Sequence, residues 1–207
     1  MTAATTPPLS AVVLVGSLKA STEPSSSEVL GRQVLDALAE HGVTGSVVRL
    51  ADHDVRPGVQ VDMGDGDAWP AIRRRIFDAD ILVVATPIWM GQPSSVTKRA
   101  LERLDAELAE SDDEGRLLTY GKVAAVAVVG NEDGAHHTSA EVFQALNDVG
   151  FSLAAGAVTY WVGEAMGSVD YKDLDEVPSS VATTTATLAS NTAHLARLLQ
   201  GAPYPPA

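Results

Sequence analysis

The chain has 207 residues, 45% hydrophobic and 20% charged, a balance that suits one globular domain with a full core rather than a disordered segment. It holds no cysteine, which excludes disulfides, thiolate zinc sites, iron–sulfur clusters and thiol nucleophiles. A formal net charge of −13 disfavours nucleic acid as a partner, because phosphate binding needs a positive face, and suits either solubility or the docking of a basic redox partner. No apolar run is long enough to span a bilayer, so no membrane partner is expected. Residues 1–9 are rich in Thr and Pro and carry neither a basic cluster nor an apolar signal core, so a cytoplasmic location is expected.

Residues 11–16 (AVVLVG) form a continuous apolar run ending in Gly-Ser, the pattern of a strand buried on both faces. Leu30, Val34, Ala37 and Leu38 then repeat at helical spacing until Gly42 stops the helix. Residues 46–50 read as a second strand, and residues 51–67, with Pro57 and several glycines, as a loop. Trp69, Ile72 and Ile76 mark a second helix on which Arg73, Arg74 and Arg75 form a solvated face; residues 81–85 are a third buried strand. Beyond a loop through Gly91 and Pro93, Val96, Leu101, Leu104 and Leu108 outline a third helix. Residues 123–129 are a fourth strand, Val142, Leu146 and Val149 line a fourth helix, residues 157–162 are a fifth strand, and residues 179–199 are the closing helix. Residues 110–114 and 166–178 read as exposed loops. This alternation predicts an α/β fold, a doubly wound five-stranded parallel sheet of order 2-1-3-4-5, with its ligand crevice at the switch between strands one and three. One domain over residues 10–200 is expected, between a flexible N-terminus (1–9) and a flexible C-terminus (201–207).

Chemistry is therefore sought in the loops after the strands. Gly16-Ser17-Leu18-Lys19 leaves strand one, and Ser25-Ser26-Ser27-Glu28 enters the helix, with Ser25 and Glu28 at capping-box spacing. Unpaired N–H groups and the positive dipole end of a helix favour a phosphate there, with hydroxyls from the serines and one charge from Lys19. A plain serine-capped helix would have the same sequence. Neither G-x-x-x-x-G-K-[ST] nor G-x-G-x-x-G is present, which argues against a P-loop nucleotidase and a tightly held dinucleotide. A response regulator would carry acidic residues where Gly16 and Ser17 stand.

Residues 86–95 (TPIWMGQPSS) form a loop stiffened by two prolines and opened by Gly91. Trp89 and Met90 are costly to leave there unless they pack on something flat or apolar, whether an isoalloxazine ring, the core or a subunit interface. Ser94 or Ser95 can cap the next helix, and Lys98 lies in its first turn. After strand four comes Gly130-Asn131-Glu132-Asp133-Gly134-Ala135-His136-His137, where the glycines permit close backbone approach. Thr138 and Glu141 have capping-box spacing, which places both histidines just before a helix. No further residues complete a metal ligand set, so the histidines line a flavin or nicotinamide pocket or are simply solvated. Trp161, near the end of strand five, packs in the core or shapes the pocket rim.

In order and spacing over residues 9–162, these segments resemble the flavodoxin-like NAD(P)H-dependent FMN reductase and quinone reductase superfamily. Gly16-Ser17-x-Lys19 stands where family members often show Gly-Ser-x-Arg, and Ser26-Ser27 resembles the family's phosphate signature. Thr86-Pro87-Ile88-Trp89-x-Gly91, through Ser95 and Lys98 to Leu101, is similar to the family's Thr/Ser-Pro-x-Tyr-x-Gly…Lys…Leu-Asp pattern. The resemblance implies a flavodoxin-like fold with non-covalent FMN and NAD(P)H as co-substrate. It assigns the FMN phosphate to Ser17, Lys19, Ser25, Ser26 and Ser27. It assigns the ring to the space between Pro87, Ile88, Trp89, Met90 and Gly91 on one side and Gly130, Asn131, Glu132, Gly134 and His136 on the other. A small-molecule electron acceptor, such as a quinone or a second flavin, would follow the nicotinamide into one pocket. No residue is assigned as a catalytic acid or base, since hydride transfer to flavin needs none from the protein. The chain lacks the long insertion of many tetrameric quinone reductases, which leaves a homodimer as the assembly to look for.

Two other functions compete with the reductase. A flavodoxin-type one-electron carrier covers its flavin with aromatics on both faces, whereas only Trp89 is placed near the ring here. A flavodoxin fold without flavin, serving as an interaction module, is the third.

Overall fold

The apolar runs pair into a parallel sheet in the computed structural model, which describes residues 8–206. The long strands are β1 (Leu9–Val15), β2 (Val43–Arg49), β3 (Ile81–Trp89), β5 (Val123–Gly130) and β6 (Ser152–Val162), in the order β2-β1-β3-β5-β6. A two-residue strand, β4 (Gln92–Pro93), folds back antiparallel on the end of β3. Without β4, this is the expected order 2-1-3-4-5. Between the strands run α1 (Ser26–Ala39), α2 (Trp69–Phe77), α3 (Ser95–Leu104), α4 (Ala135–Asp148) and α5 (Ser179–Gly201). Alternate residues serve opposite faces of the sheet, which is why the strands are apolar throughout. Val12 and Leu14 pack with Trp69, Ile76, Leu104 and Leu146 of α2, α3 and α4. Val13 and Val15 pack with Leu30 and Val34 of α1 and Leu188 of α5.

The structure corrects several boundaries. Strand three continues through Trp89 because the chain turns tightly at Met90 and Gly91, both with left-handed backbone (φ 55° and 73°), as a two-residue hairpin loop of type I′ requires. The last strand begins at Ser152, its register with β5 interrupted between Ala124 and Val126. The third helix stops at Leu104 and tightens into a 3₁₀ turn, Asp105–Ala109, so Leu108 is half exposed and lies off the apolar face. Arg73 is not merely solvated: its guanidinium bonds the buried carboxylate of Glu107 at 2.7 and 2.8 Å. Residues 1–7 of the expected flexible start lie outside the described residues, and Leu9 already belongs to β1. Near the other end, the Tyr204 hydroxyl is 2.8 Å from Ser152 Oγ.

The long loop between β2 and α2 is pinned by one buried cation. Arg103 of α3 is fully buried, 2.8 Å from an Asp67 carboxylate whose side chain is also fully buried, and it donates to the carbonyls of Arg56 and Gln60. Burial pushes the Asp67 carboxyl up. The N–H groups of Met63 and Trp69, the Arg103 guanidinium and the Arg56 N–H outweigh it and hold the carboxyl at about 2. This staple fixes α3, whose first turn abuts the exit of β1.

At that exit Gly16 donates its N–H to Ala85 at 2.8 Å, and a Cβ on Gly16 would lie 1.8 Å from Thr97 Oγ1. Ser94 Oγ donates to the Gly16 carbonyl and also caps α3 by accepting from Thr97 N at 3.1 Å. Thr97 Oγ1 donates to Thr86 Oγ1 at 2.9 Å, and Ser94 N donates to the same hydroxyl at 3.2 Å. These buried hydroxyls bind the ends of β1 and β3 to α3.

Asp67→Asn leaves the Arg103 guanidinium buried without its counter-charge, and we expect a loss of about 3 kcal/mol, read as a lower urea midpoint at unchanged slope. Because the Asp67 carboxyl is depressed, the unfolded chain binds its proton more readily. Its contribution, about 2.5 kcal/mol, is therefore full above about pH 4 and fades as pH falls towards 2. In the Asn variant this part of the acid limb flattens. Gly16→Ala is expected to cost about 1–3 kcal/mol through overpacking, partly recovered by adding Thr97→Ala; a Gly16→Ala protein as stable as the parent would show that the β1 exit has room to spare.

Candidate functional site

The crevice beyond the carboxyl ends of β1, β3 and β5 has an anchoring side and a flat side. On the anchoring side, Ser17, Ser25 and Ser27 are buried at the β1 exit and the start of α1. Ser25 is the N-cap and accepts from Glu28 N at 3.4 Å. The expected reciprocal bond is absent, because the Glu28 carboxylate turns to Arg49 and Arg32, each of whose Nε atoms donates at 2.9 Å. Burial raises its pKa, but these two guanidinium groups more than reverse that and hold it below the usual carboxylate range. Ser17 Oγ accepts from Lys19 N at 3.2 Å, while the exposed Lys19 ammonium lies 3.4 Å from Glu23. The hydroxyls of Ser17, Ser26 and Ser27 and the first N–H groups of α1 make a mostly neutral donor set.

Sequence reasoning missed a second segment here. Residues 166–178 were expected to be an exposed loop, yet Tyr171 is buried, packs on the half-buried Trp161 (ring centroids 5.5 Å apart) and donates to Gln33 Oε1 at 2.5 Å. Burial raises the Tyr171 pKa, partly opposed by Gln33. The next residue, Lys172, donates its N–H to Ser26 Oγ at 3.2 Å. Its ammonium bonds Asp173 at 2.6 Å and Asp170 at 2.9 Å, and these carboxylates raise its pKa. The signal for this packing was slight: Tyr171 and Leu174 lie three apart in a run that is otherwise mostly polar or acidic.

On the flat side, Trp89 is 53% exposed and Met90 91% exposed at the hairpin tip, beside the half-buried Pro87. Ile88 is buried instead: it packs against Gly130, where an added Cβ would lie 2.9 Å from the Ile88 Cβ. Glu132 ties the hairpin to the β5 exit by accepting from Met90 N at 3.0 Å and Gly91 N at 3.1 Å. The backbones meet so closely at Gly134, itself left-handed (φ 111°), that a Cβ there would lie 2.9 Å from Gly91 Cα. Gly134 is the N-cap of α4, so His136 and His137 lie within its first turn and Thr138 and Glu141 lie deeper in the helix, contrary to the expected capping box. The left-handed glycine ends the loop four residues earlier than Thr138 would. His136 is exposed and meets Tyr160 edge-on at 5.2 Å, whereas His137 contacts Gln92 and Glu141. Lys98 is exposed on α3. Asn131 donates to Gly167 O and Asp170 Oδ1, while its own buried Oδ1 has no partner among the described residues.

The structure thus brings together the assigned serines on one side and Trp89, Met90, Gly91, Glu132 and Gly134 on the other. This donor set fits a phosphate monoester, and the exposed indole and thioether fit a flat ring, so the residues present suit FMN. Among the described residues no group of His, Asp and Glu could hold a metal ion, and no helix is long and apolar enough to cross a membrane.

The model of the NADPH-dependent FMN reductase family matches residues 9–167. A relative from Streptomyces davaonensis, 8-demethyl-8-aminoriboflavin-5'-phosphate synthase, is 32% identical over 206 residues, 95% of this chain and 80% of that protein. The crystal structure of RosB with bound 8-demethyl-8-formylriboflavin-5'-phosphate superposes with a TM-score of 0.85 at 32% identity, covering 95% of this chain and 82% of that one. A Mycobacterium bovis protein, divalent metal cation transporter MntH, is 37% identical over 169 residues, which are 80% of this chain but only 25% of that protein. The chain belongs to the NADPH-dependent FMN reductase family and is an NAD(P)H-dependent flavin enzyme with FMN as its cofactor.

Proposed function

We propose that this protein takes electrons from a nicotinamide nucleotide and passes them through FMN to a quinone, a flavin or a similar small acceptor. One observation carries the reading: the hairpin tip offers an exposed indole and thioether, while the facing segment after β5 has no aromatic residue beyond His136 and His137. One covered flavin face and one open face suit a reductase better than a one-electron carrier. A homodimer and a cytoplasmic location are proposed with it; light scattering reads the mass directly.

FMN, when bound, supplies the two-electron chemistry. Ser17, Ser26, Ser27 and the first N–H groups of α1 hold its phosphate, and Ser25 holds the helix start that aims them. Pro87 and Trp89 give the ring a rigid apolar support, with Ile88 beneath as part of the core. The N–H groups of Met90 and Gly91 are taken by Glu132, so they hold the hairpin in place rather than the ring. The N–H groups of Glu132 and Asp133 have no partner among the described residues, and they are the donors we assign to negative charge developing at the pyrimidine edge. The close contact of Gly91 with Gly134 keeps water from between the two loops.

A second reading rests on the Streptomyces relative, whose product is a riboflavin 5'-phosphate altered at position 8. In that reading FMN is the molecule changed rather than the electron carrier.

An anaerobic stopped-flow mix of the FMN-loaded protein with NADPH or NADH, followed near ~450 nm, is expected to show rapid bleaching. Tight binding without bleaching by either nucleotide would turn the assignment to the carrier. A flavin of changed mass after aerobic incubation would favour the second reading. The two sides of the crevice separate by variant: Ser27→Asp is expected to weaken FMN at least ~100-fold by placing a carboxylate against the phosphate, while riboflavin binding moves little. Trp89→Ala should weaken both about tenfold. Equal losses for FMN and riboflavin in Ser27→Asp would remove the phosphate from this loop.

A further inference from the structure

Among the described residues only two non-glycine residues have a left-handed backbone, and both are methionines: Met90 (φ 55°) and Met166 (φ 63°). They are also the most exposed large apolar side chains, at 91% and 96%. Such a backbone is costly for a residue with a Cβ, and the exposure forgoes the benefit of burial, so each site is unfavourable twice over. Both lie beyond the carboxyl ends of the strands, Met90 at the tip of the β3–β4 hairpin and Met166 in the loop after β6. Both are fastened through the backbone to neighbouring residues of the β5 exit loop. Met90 N donates to Glu132 Oε1 at 3.0 Å, and Met166 N donates to the Asn131 carbonyl at 3.1 Å. Asn131 Nδ2 reinforces the second tie by donating to Gly167 O at 3.3 Å. The two methionines therefore flank the β5 exit loop from the β3 side and the β6 side, since β5 lies between those strands. Methionine is unbranched and polarisable, makes favourable contacts with aromatic rings, and adapts to ligands of different outline.

We propose that Met90 and Met166 are the two lips of an adaptable clamp for the planar aromatic second substrate. The proposal rests on the reductase reading above and concerns the nicotinamide ring, the quinone or flavin acceptor, or both in turn. Strain held at two ligand-facing turns buys a pair of apolar contacts that a relaxed Asn or Gly would not provide.

The test is a sulfoxide footprint of the full chain, with and without FMN, under dilute hydrogen peroxide. Each exposed sulfide takes one oxygen from peroxide and releases water, and peptide mass spectrometry reads the rate at each methionine. The chain has no cysteine to compete for peroxide or to react with a quinone. The partly buried Met63 serves as an internal reference. Saturating NADP⁺ or menadione is expected to slow oxidation of both Met90 and Met166 at least tenfold and to leave Met63 unchanged. Protection by NADP⁺ assigns the clamp to the nucleotide, and protection by menadione assigns it to the acceptor. No protection by either probe beyond that given by FMN, protection of Met166 by FMN alone, or slow oxidation that quickens on dilution as a second copy departs would each overturn it. In steady state, Met166→Gly keeps the backbone relaxed and should raise the KM of the protected substrate at least fivefold, with kcat and FMN affinity unchanged. An unchanged KM would also overturn the clamp. The reductase reading fails separately, through absent bleaching by NADPH while menadione still protects both methionines.

Discussion

The carboxyl end of β1 meets the first turn of α3 with no room for a side chain, and the crevice takes its shape from that contact. Gly16 is the residue that allows it, because any Cβ would enter the space of the Thr97 hydroxyl. Once the backbones are this close, the hydroxyls of Thr86, Ser94 and Thr97 are cut off from water and must satisfy one another, which they do. The end of β3 is thereby fixed relative to β1. The hairpin that follows projects over one side of the crevice and the serine-rich start of α1 borders the other. A sheet edge alone would leave these two loops free to vary independently.

A protein of net charge −13 repels a phosphate at long range, so the proposed anchor has to work locally. The cations near α1 are not spare: Lys19 lies beside Glu23, and Lys172 is held by Asp170 and Asp173. What remains is a set of hydroxyl and N–H dipoles fixed before any ligand arrives. Such donors are effective in a partly buried site because they need little reorganisation, and they do not add charge that the acidic surface would have to neutralise.

Sequence reading recovered the parts of this arrangement that depend on local chemistry. Uninterrupted apolar runs identify strands buried on both faces, and their alternation with helical repeats gives the order of the sheet. The serine cluster marks the start of α1 because N-cap preference is a property of a few adjacent residues. It misplaced features decided by contacts across the fold. Thr138 and Glu141 have capping spacing, but Gly134 can adopt the left-handed backbone that its approach to Gly91 demands, so α4 begins earlier. Glu28 has the right spacing for a reciprocal cap, but Arg49 of a neighbouring strand outcompetes the backbone for its carboxylate. Tyr171 is buried only because Trp161 and Gln33 come from elsewhere in the chain to meet it.

The hairpin at Met90 and Gly91 shows how stability and function divide in this protein. A type I′ turn favours Asn-Gly or Gly-Gly, and methionine at its first central position is a poor choice for the turn itself. The position persists because its surroundings over-determine it: Glu132 takes both N–H groups, Thr138 Oγ1 donates to the Gly91 carbonyl at 3.3 Å, and Gly134 abuts Gly91. The hydroxyl knot and the Arg103–Asp67 staple hold α3 and the base of the hairpin with buried, well-satisfied groups. Local strain at the tip can then be tolerated without melting the loop. The serine-rich side carries no such strain, its serines occupying ordinary capping and turn positions, which separates the proposed phosphate grip, built from relaxed backbone, from the proposed ring-facing surface, where an unfavourable conformation is retained.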